Sequence, residues 1–127
     1  MILGIGVDLV HLARIAKMVA GRHGRRFPAR ILSSEEVKEF DFLGGGVDRR
    51  MRYLAVRWAV KEAAYKALYP TIRPSWKDLS LLRRASDAKP RLELDSGLLP
   101  EASTVDLQVS ISHDGDYVVA SVLAQKS

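Results

Sequence analysis

The chain has 127 residues, 47% hydrophobic and 28% charged, with no cysteine and a formal net charge of +5. That length suits one core, so a single domain over residues 1–127 is expected, and the lack of cysteine excludes a disulfide framework, a thiolate metal site and a cysteine nucleophile. No apolar run reaches membrane-spanning length, and Met1 leads straight into "ILGIGVDLV" without a basic leader, so a cytoplasmic protein is expected, or one of the mitochondrial matrix in a eukaryote.

Ile2–Val10 reads as a mostly apolar strand carrying one acid, Asp8. Its "GIGVD" invites the dinucleotide-binding pattern of three glycines, but Leu9 stands where the third is needed and the next helix begins too late. Aspartate is depleted in strands, so Asp8 either caps the following helix or serves a site. His11–Ala20 reads as that helix, with Leu12, Ile15, Ala16 and Val19 on one face and Gly21 stopping it. From His11 to Leu32 there are six basic residues (Arg14, Lys17, Arg22, Arg25, Arg26, Arg30) and no acid. Such a field suits nucleic acid, an acidic protein or a phosphorylated ligand, or is simply a solvated face.

Ser33 with Glu36 forms a capping-box pattern opening a short helix to about Phe42, and Gly44-Gly45-Gly46 breaks the chain. A long helix is expected from Asp48 to Tyr69, ended by Pro70. Met51, Leu54, Ala55, Trp58, Tyr65 and Tyr69 share one apolar stripe of it, with Glu62 in their midst; Val56, Val60, Ala63 and Ala67 make a second apolar face. A helix apolar on two sides is expected to be central. The remainder reads as strands over Leu79–Arg84, Arg91–Leu94, Val105–His113 and Tyr117–Ala124, the last two joined by an Asp-Gly turn within His113–Asp116. Val105, Leu107, Val109 and Ile111 alternate with polar residues, the pattern of a half-buried strand. The fold expected is α+β, an antiparallel sheet packed on a long central helix.

A carboxylate on an apolar stripe needs compensation. Glu62 either pairs with Lys66 one turn on, or faces Asp8 so that the two acids hold a hard divalent cation. Mg²⁺ takes one or two carboxylates and completes its shell with water and phosphate oxygens; Lys66 is then placed to reach a phosphate, which suits attack on a diphosphate. His113 ends a strand as a candidate ligand or base, or as a residue that merely bonds its turn. Ser110 and Ser112 lie on the polar face leading to it, and nothing nearby marks a nucleophile elbow.

In order, "GIGVDLVHLARI", "RRFPARILSSEE", "WAVKEAAYKAL", the pair Trp76 and Asp78, "KPRLEL" and "VSISHDGDYVVASVLA" resemble the holo-acyl-carrier-protein synthase family of 4′-phosphopantetheinyl transferases over nearly the whole chain. The resemblance implies transfer of phosphopantetheine from coenzyme A to a serine of an apo acyl carrier protein, releasing adenosine 3′,5′-bisphosphate. It implies Asp8 and Glu62 as Mg²⁺ ligands and Lys66 at the diphosphate. Arg57, Lys61, Lys89, Pro90, Ser110 and His113 would line the coenzyme A site, and Arg14, Met18, Arg22, Arg26 and Phe27 would dock the acidic carrier protein. The serine proton would pass to Glu62 or to water on the ion. The family implies a homotrimer with a site in each cleft between subunits, and no role with nucleic acid or membrane. Two departures stand out: "LYPTIRP", with Arg73, replaces a glycine-rich turn after the long helix, and Ala88 replaces a glycine before Lys89-Pro90. The competing readings are a non-catalytic carrier-binding subunit and a small basic nucleic-acid-binding domain.

Overall fold

The computed structural model describes residues 1–83, 89–95, 97 and 104–127; Arg84, the expected end of one short strand, and Ala88 lie outside them. In chain order the elements are β1 (Ile2–His11), α1 (Leu12–Ala20), α2 (Phe27–Ile31), α3 (Ser34–Asp41) and α4 (Gly46–Leu68), a 3₁₀ turn (Trp76–Asp78), then β2 (Leu79–Leu82), β3 (Arg91–Leu94), β4 (Val105–Asp114) and β5 (Tyr117–Lys126).

Among the described residues the strands form two antiparallel sheets. β1, β5 and β4 lie side by side in that order, and β2 pairs separately with β3. The three-stranded sheet packs on α4, which also touches β2, α1 and α2. Sheet register follows from the alternation of side chains. Val118, Ala120, Val122 and Ala124 of β5 are buried together with Leu107 and Val109 of β4. On β1, Gly4, Gly6, Asp8 and Val10 share the helix-facing side, while Ile5, Val7 and Leu9 point outward, 54–68% exposed.

The two glycines of "GIGVD" have a packing role. A Cβ on Gly4 would run into the carbonyl oxygen of Ala67, and one on Gly6 into that of Ala63. The strand therefore rests on the backbone of α4, whose facing residues are Ala63, Ala64 and Ala67, all fully buried. Close approach of this kind needs glycine on one side and small residues on the other.

α4 begins at Gly46, two residues before the expected Asp48, with Gly45 and Gly46 at φ of +88° and +79°. The glycines start this helix as well as breaking the preceding one. Its second face is buried as expected, with Val60, Ala63 and Ala67 fully enclosed. The first stripe is not wholly core: Leu54 and Ala55 are buried, but Tyr65 is 40% and Tyr69 50% exposed. The alanines seat the sheet, and the bulkier tyrosines stack on each other outside it, ring centroids 5.8 Å apart. α2 had no periodic signal at five residues, although Pro28 in its first turn is a permitted helix opener. The Ser33–Glu36 capping box is present, Ser33 Oγ accepting from Glu36 N at 3.3 Å and Glu36 Oε1 from Ser33 N at 2.9 Å. The β4–β5 turn is shifted by one residue. Asp114 pairs with Tyr117, so Gly115 and Asp116 are its central residues and Gly115, at φ +56°, takes the first place.

Candidate active site

β1 brings Asp8 to the side of the sheet that faces α4, where Glu62 and Lys66 lie one turn apart. Asp8 caps nothing: the residue before α1 is His11, and no side chain caps that helix. The Lys66 ammonium turns away from Glu62, donating to the Val7 carbonyl at 2.9 Å and lying 3.5 Å from Asp8 Oδ1. The simple Glu62–Lys66 pair is thus not formed. Asp8 Oδ2 is buried and has no hydrogen-bond partner. Burial is the main cause that raises the proton affinity of the Glu62 carboxyl above the usual range; the Asp8 charge adds to it, while Lys66 and Arg14 oppose it. The two acids therefore feel each other directly.

An orphaned carboxylate oxygen, a second carboxylate held at electrostatic range and a wholly oxygen donor set fit a hard divalent ion. Among the described residues no group of three or more His, Cys, Asp or Glu converges, so an ion held by these two acids would take its other ligands from elsewhere, such as water or substrate oxygens. Glu62 opens onto a cleft of about 310 Å³ lined also by Tyr65, Pro74, Ser75 and Trp76.

The residues expected around coenzyme A divide into three groups. Arg57, Lys89, Pro90 and Ser110 come together in a second cleft of about 410 Å³, with Arg83 as an additional cation. His113 is exposed near the tip of β4, and no hydrogen bond or ion pair joins it to Asp8, Glu62 or Lys66. Lys61 also lines the Glu62 cleft. Its ammonium is buried, donating to Glu36 Oε1 at 2.5 Å, the Ile31 carbonyl at 2.6 Å and the Trp76 carbonyl at 2.9 Å. All three donors are engaged inside the fold, which leaves none to offer a phosphate. Burial also pulls its proton affinity below the usual lysine range, with Glu36 opposing.

On the basic side, Arg14, Arg22 and Arg26 are exposed and Met18 is half-buried. None of the six basic residues from Arg14 to Arg30 forms an ion pair among the described residues. Arg14 lies over Trp58, 5.5 Å from the ring centre, and its charge reaches Glu62. Phe27 is 8% exposed and stacked on Trp58 at 5.6 Å, and it lines a cleft with Met18, Arg30, Trp58 and Trp76. Arg73, from the altered turn, is exposed and lies over the Tyr69 ring at 5.1 Å.

Sequence reasoning missed Glu36 as a core acid. It accepts from Ser33 N and Leu81 N at 2.9 Å each, binds Lys61 and lies 3.7 Å from Arg57 Nε. The capping box gave its local role and carried no signal of the long-range one. Trp76 and Asp78 have structural duties: Asp78 Oδ2 accepts from Ser75 N at 2.8 Å, and the Trp76 ring packs at a tilt against Trp58, centroids 4.8 Å apart.

A small α+β fold with a strand acid set against a helix Glu-x-x-x-Lys and flanked by a basic helix suits a transferase that handles phosphate esters. The profile of the 4′-phosphopantetheinyl transferase superfamily matches residues 4–122, and the chain belongs to that superfamily. It is 37% identical to a holo-[acyl-carrier-protein] synthase of Herminiimonas arsenicoxydans, over 99% of both chains, and 39% identical to one of Desulfovibrio desulfuricans, over 98% of both. Its fold is similar to that of the synthase from Neisseria meningitidis (TM-score 0.83, 35% identity, 99% of this chain and 100% of that one). It is also similar to the Bacillus anthracis synthase in complex with CoA (3′,5′-ADP) (TM-score 0.78, 32% identity, 100% and 99%). No helix among the described residues is long and apolar enough to cross a membrane.

Proposed function

We propose that this chain, acting as one domain, transfers 4′-phosphopantetheine from coenzyme A to a serine of an apo acyl carrier protein and releases adenosine 3′,5′-bisphosphate. The observation that carries the reading is the buried, unpartnered Asp8 Oδ2 beside Glu62 and Lys66, in a chain of this superfamily.

Asp8 and Glu62 would hold Mg²⁺, which when bound neutralises charge on the diphosphate oxygens. The serine oxygen bonds to the pantetheine-side phosphorus as the bridging P–O bond of the diphosphate breaks. Glu62 would take the serine proton on a carboxylate oxygen. Lys66, whose ammonium is half-exposed, leaves Asp8 to meet the charge developing on the leaving bisphosphate. Arg57, Lys89 and Ser110, already grouped in one cleft, receive coenzyme A, and Arg14, Arg22 and Arg26 with Met18 receive the acidic carrier protein.

The division of the site supports a homotrimer. By strand register Asp8 faces inward with Ala120 and Ile111, whereas Ser110 faces outward with Ser121 and Val7. The Asp8 and Ser110 side chains of one chain therefore point to opposite faces of its sheet, and the exposed row of Ile5, Val7 and Leu9 on edge strand β1 offers a seat for a second copy. The reading of a basic nucleic-acid domain leaves both acids without a role. A non-catalytic subunit would have no reason to keep Asp8 and Glu62 together.

The deciding experiment is incubation with coenzyme A, Mg²⁺ and an apo acyl carrier protein, followed by intact-mass measurement. A carrier heavier by one phosphopantetheine is expected. Binding of carrier with no mass change would instead identify a non-catalytic subunit.

A further inference from the structure

Glu36 and Lys61 are the only fully buried charged side chains among the described residues, and neither has a step in the transfer. Together they tie five segments: the end of α2 through the Ile31 carbonyl, the start of α3 through Ser33 N, α4 itself, the 3₁₀ turn through the Trp76 carbonyl, and β2 through Leu81 N. Burying such a pair adds little net stability, since an apolar pair of similar volume does as well. What it adds is direction, because each ammonium N–H has a different carbonyl or carboxylate to meet.

Trp76 is the segment where direction matters. Its ring packs at a tilt of 34° against Trp58, which stacks on Phe27. It lines the Glu62 cleft with Tyr65, Pro74 and Ser75, and it also lines the cleft of the basic face with Met18, Phe27 and Arg30. Trp76 is thus a wall common to both, and its backbone is held by the residue that precedes Glu62.

We propose that Glu36 and Lys61 are positioning residues: by fixing the Trp76 carbonyl they hold the wall shared by the two clefts, and so set how donor and acceptor meet at Glu62. The inference rests on the transfer reading above and names residues that serve it without touching substrate.

The test removes both charges together in a Glu36→Leu/Lys61→Met double variant, so that no unpaired charge stays buried. Trp58 and Trp76 are the chain's two tryptophans, and intrinsic emission reports the wall without any ligand. The double variant is expected to keep a cooperative thermal transition close to the unaltered protein's, while its emission shifts and acrylamide quenches it more readily. Its kcat/KM for the apo carrier protein at saturating coenzyme A falls by about tenfold or more, the scale on which small misplacements cost rate. Trp76→Ala, which leaves the ion pair in place, gives the same kinetic loss and decides the matter should the double variant not fold. A purely structural pair would lower the melting temperature and leave kcat/KM unchanged in the folded protein. Unaltered emission in the folded double variant, or kcat/KM for Trp76→Ala within about twofold of the unaltered protein, well inside that scale, overturns the proposal. Should the unaltered protein transfer nothing, the transfer reading itself has failed, and the ligand-free emission still decides whether the pair holds the wall.

Discussion

Asp8 and Glu62 illustrate how a residue can work against the fold that carries it. Asp8 Oδ2 is enclosed with no hydrogen-bond partner, and Glu62 is held where burial and a like charge disfavour its ionised form. Asp8→Ala and Glu62→Gln are each expected to lower kcat by at least about a hundredfold, the loss typical of removing one charge-stabilising group, with an unchanged circular dichroism spectrum. Normal turnover in either variant removes that acid from the mechanism. Stability should move the other way for Glu62→Gln in metal-free protein. Well below the ordinary carboxyl value of 4.5, Glu62 is protonated in folded and unfolded chains alike, and the substitution changes little. Above its raised folded value the folded state carries the full cost of an ionised Glu62. The melting temperature of Glu62→Gln should therefore exceed that of the unaltered protein at neutral pH, with the gap closing as pH falls through that window. A gap that widens on acidification would mean the carboxylate stabilises the fold.

At the scale of elements, the close seating of β1 on α4 governs where Asp8 arrives. Gly6→Ala would push a methyl into the Ala63 carbonyl, and is expected to cost about 2 kcal/mol or more in denaturant unfolding. Gly44→Ala has open space around it and serves as the control. Much at this scale was legible in the sequence. Period-two alternation gave β4, the capping box gave α3, and Pro70 gave the end of α4. The failures have physical causes. A five-residue helix cannot display a period, so α2 went unseen. Glycines that open a helix in left-handed backbone were taken only as a break, which put the start of α4 two residues late. Tyr65 and Tyr69 share the helical phase of core residues, and periodicity alone cannot tell a buried ring from one stacked outside. The burial of Lys61 and Phe27 was illegible for a related reason: it depends on Glu36 and Trp58, distant in the chain.

At the scale of the molecule, charge and exposed oil are segregated. The basic run lies along and after α1, whereas Ile5, Val7 and Leu9 make an outward apolar row on an edge strand ten residues long. A bare row of this kind invites another chain. Sedimentation equilibrium of the unaltered protein is expected to give a trimer, and Ile5→Asp a smaller species with transfer reduced although both acids are intact. A monomeric unaltered protein with full activity would rule out a site shared between chains. The sequence pointed to the trimer only through family likeness; the split between inward Asp8 and outward Ser110 gives it a reason in strand register.

The bare strand beneath Asp8 has one more consequence, for anyone redesigning this protein. Because Gly4 and Gly6 rest on main-chain atoms of α4, the reach of the acid is set where two polypeptide backbones meet. Exchanges at Ala120, which pairs with Asp8 across the sheet, or at its buried neighbours on β5 would drag the carboxylate along, and a single methyl at either bare position would lift it off its mark.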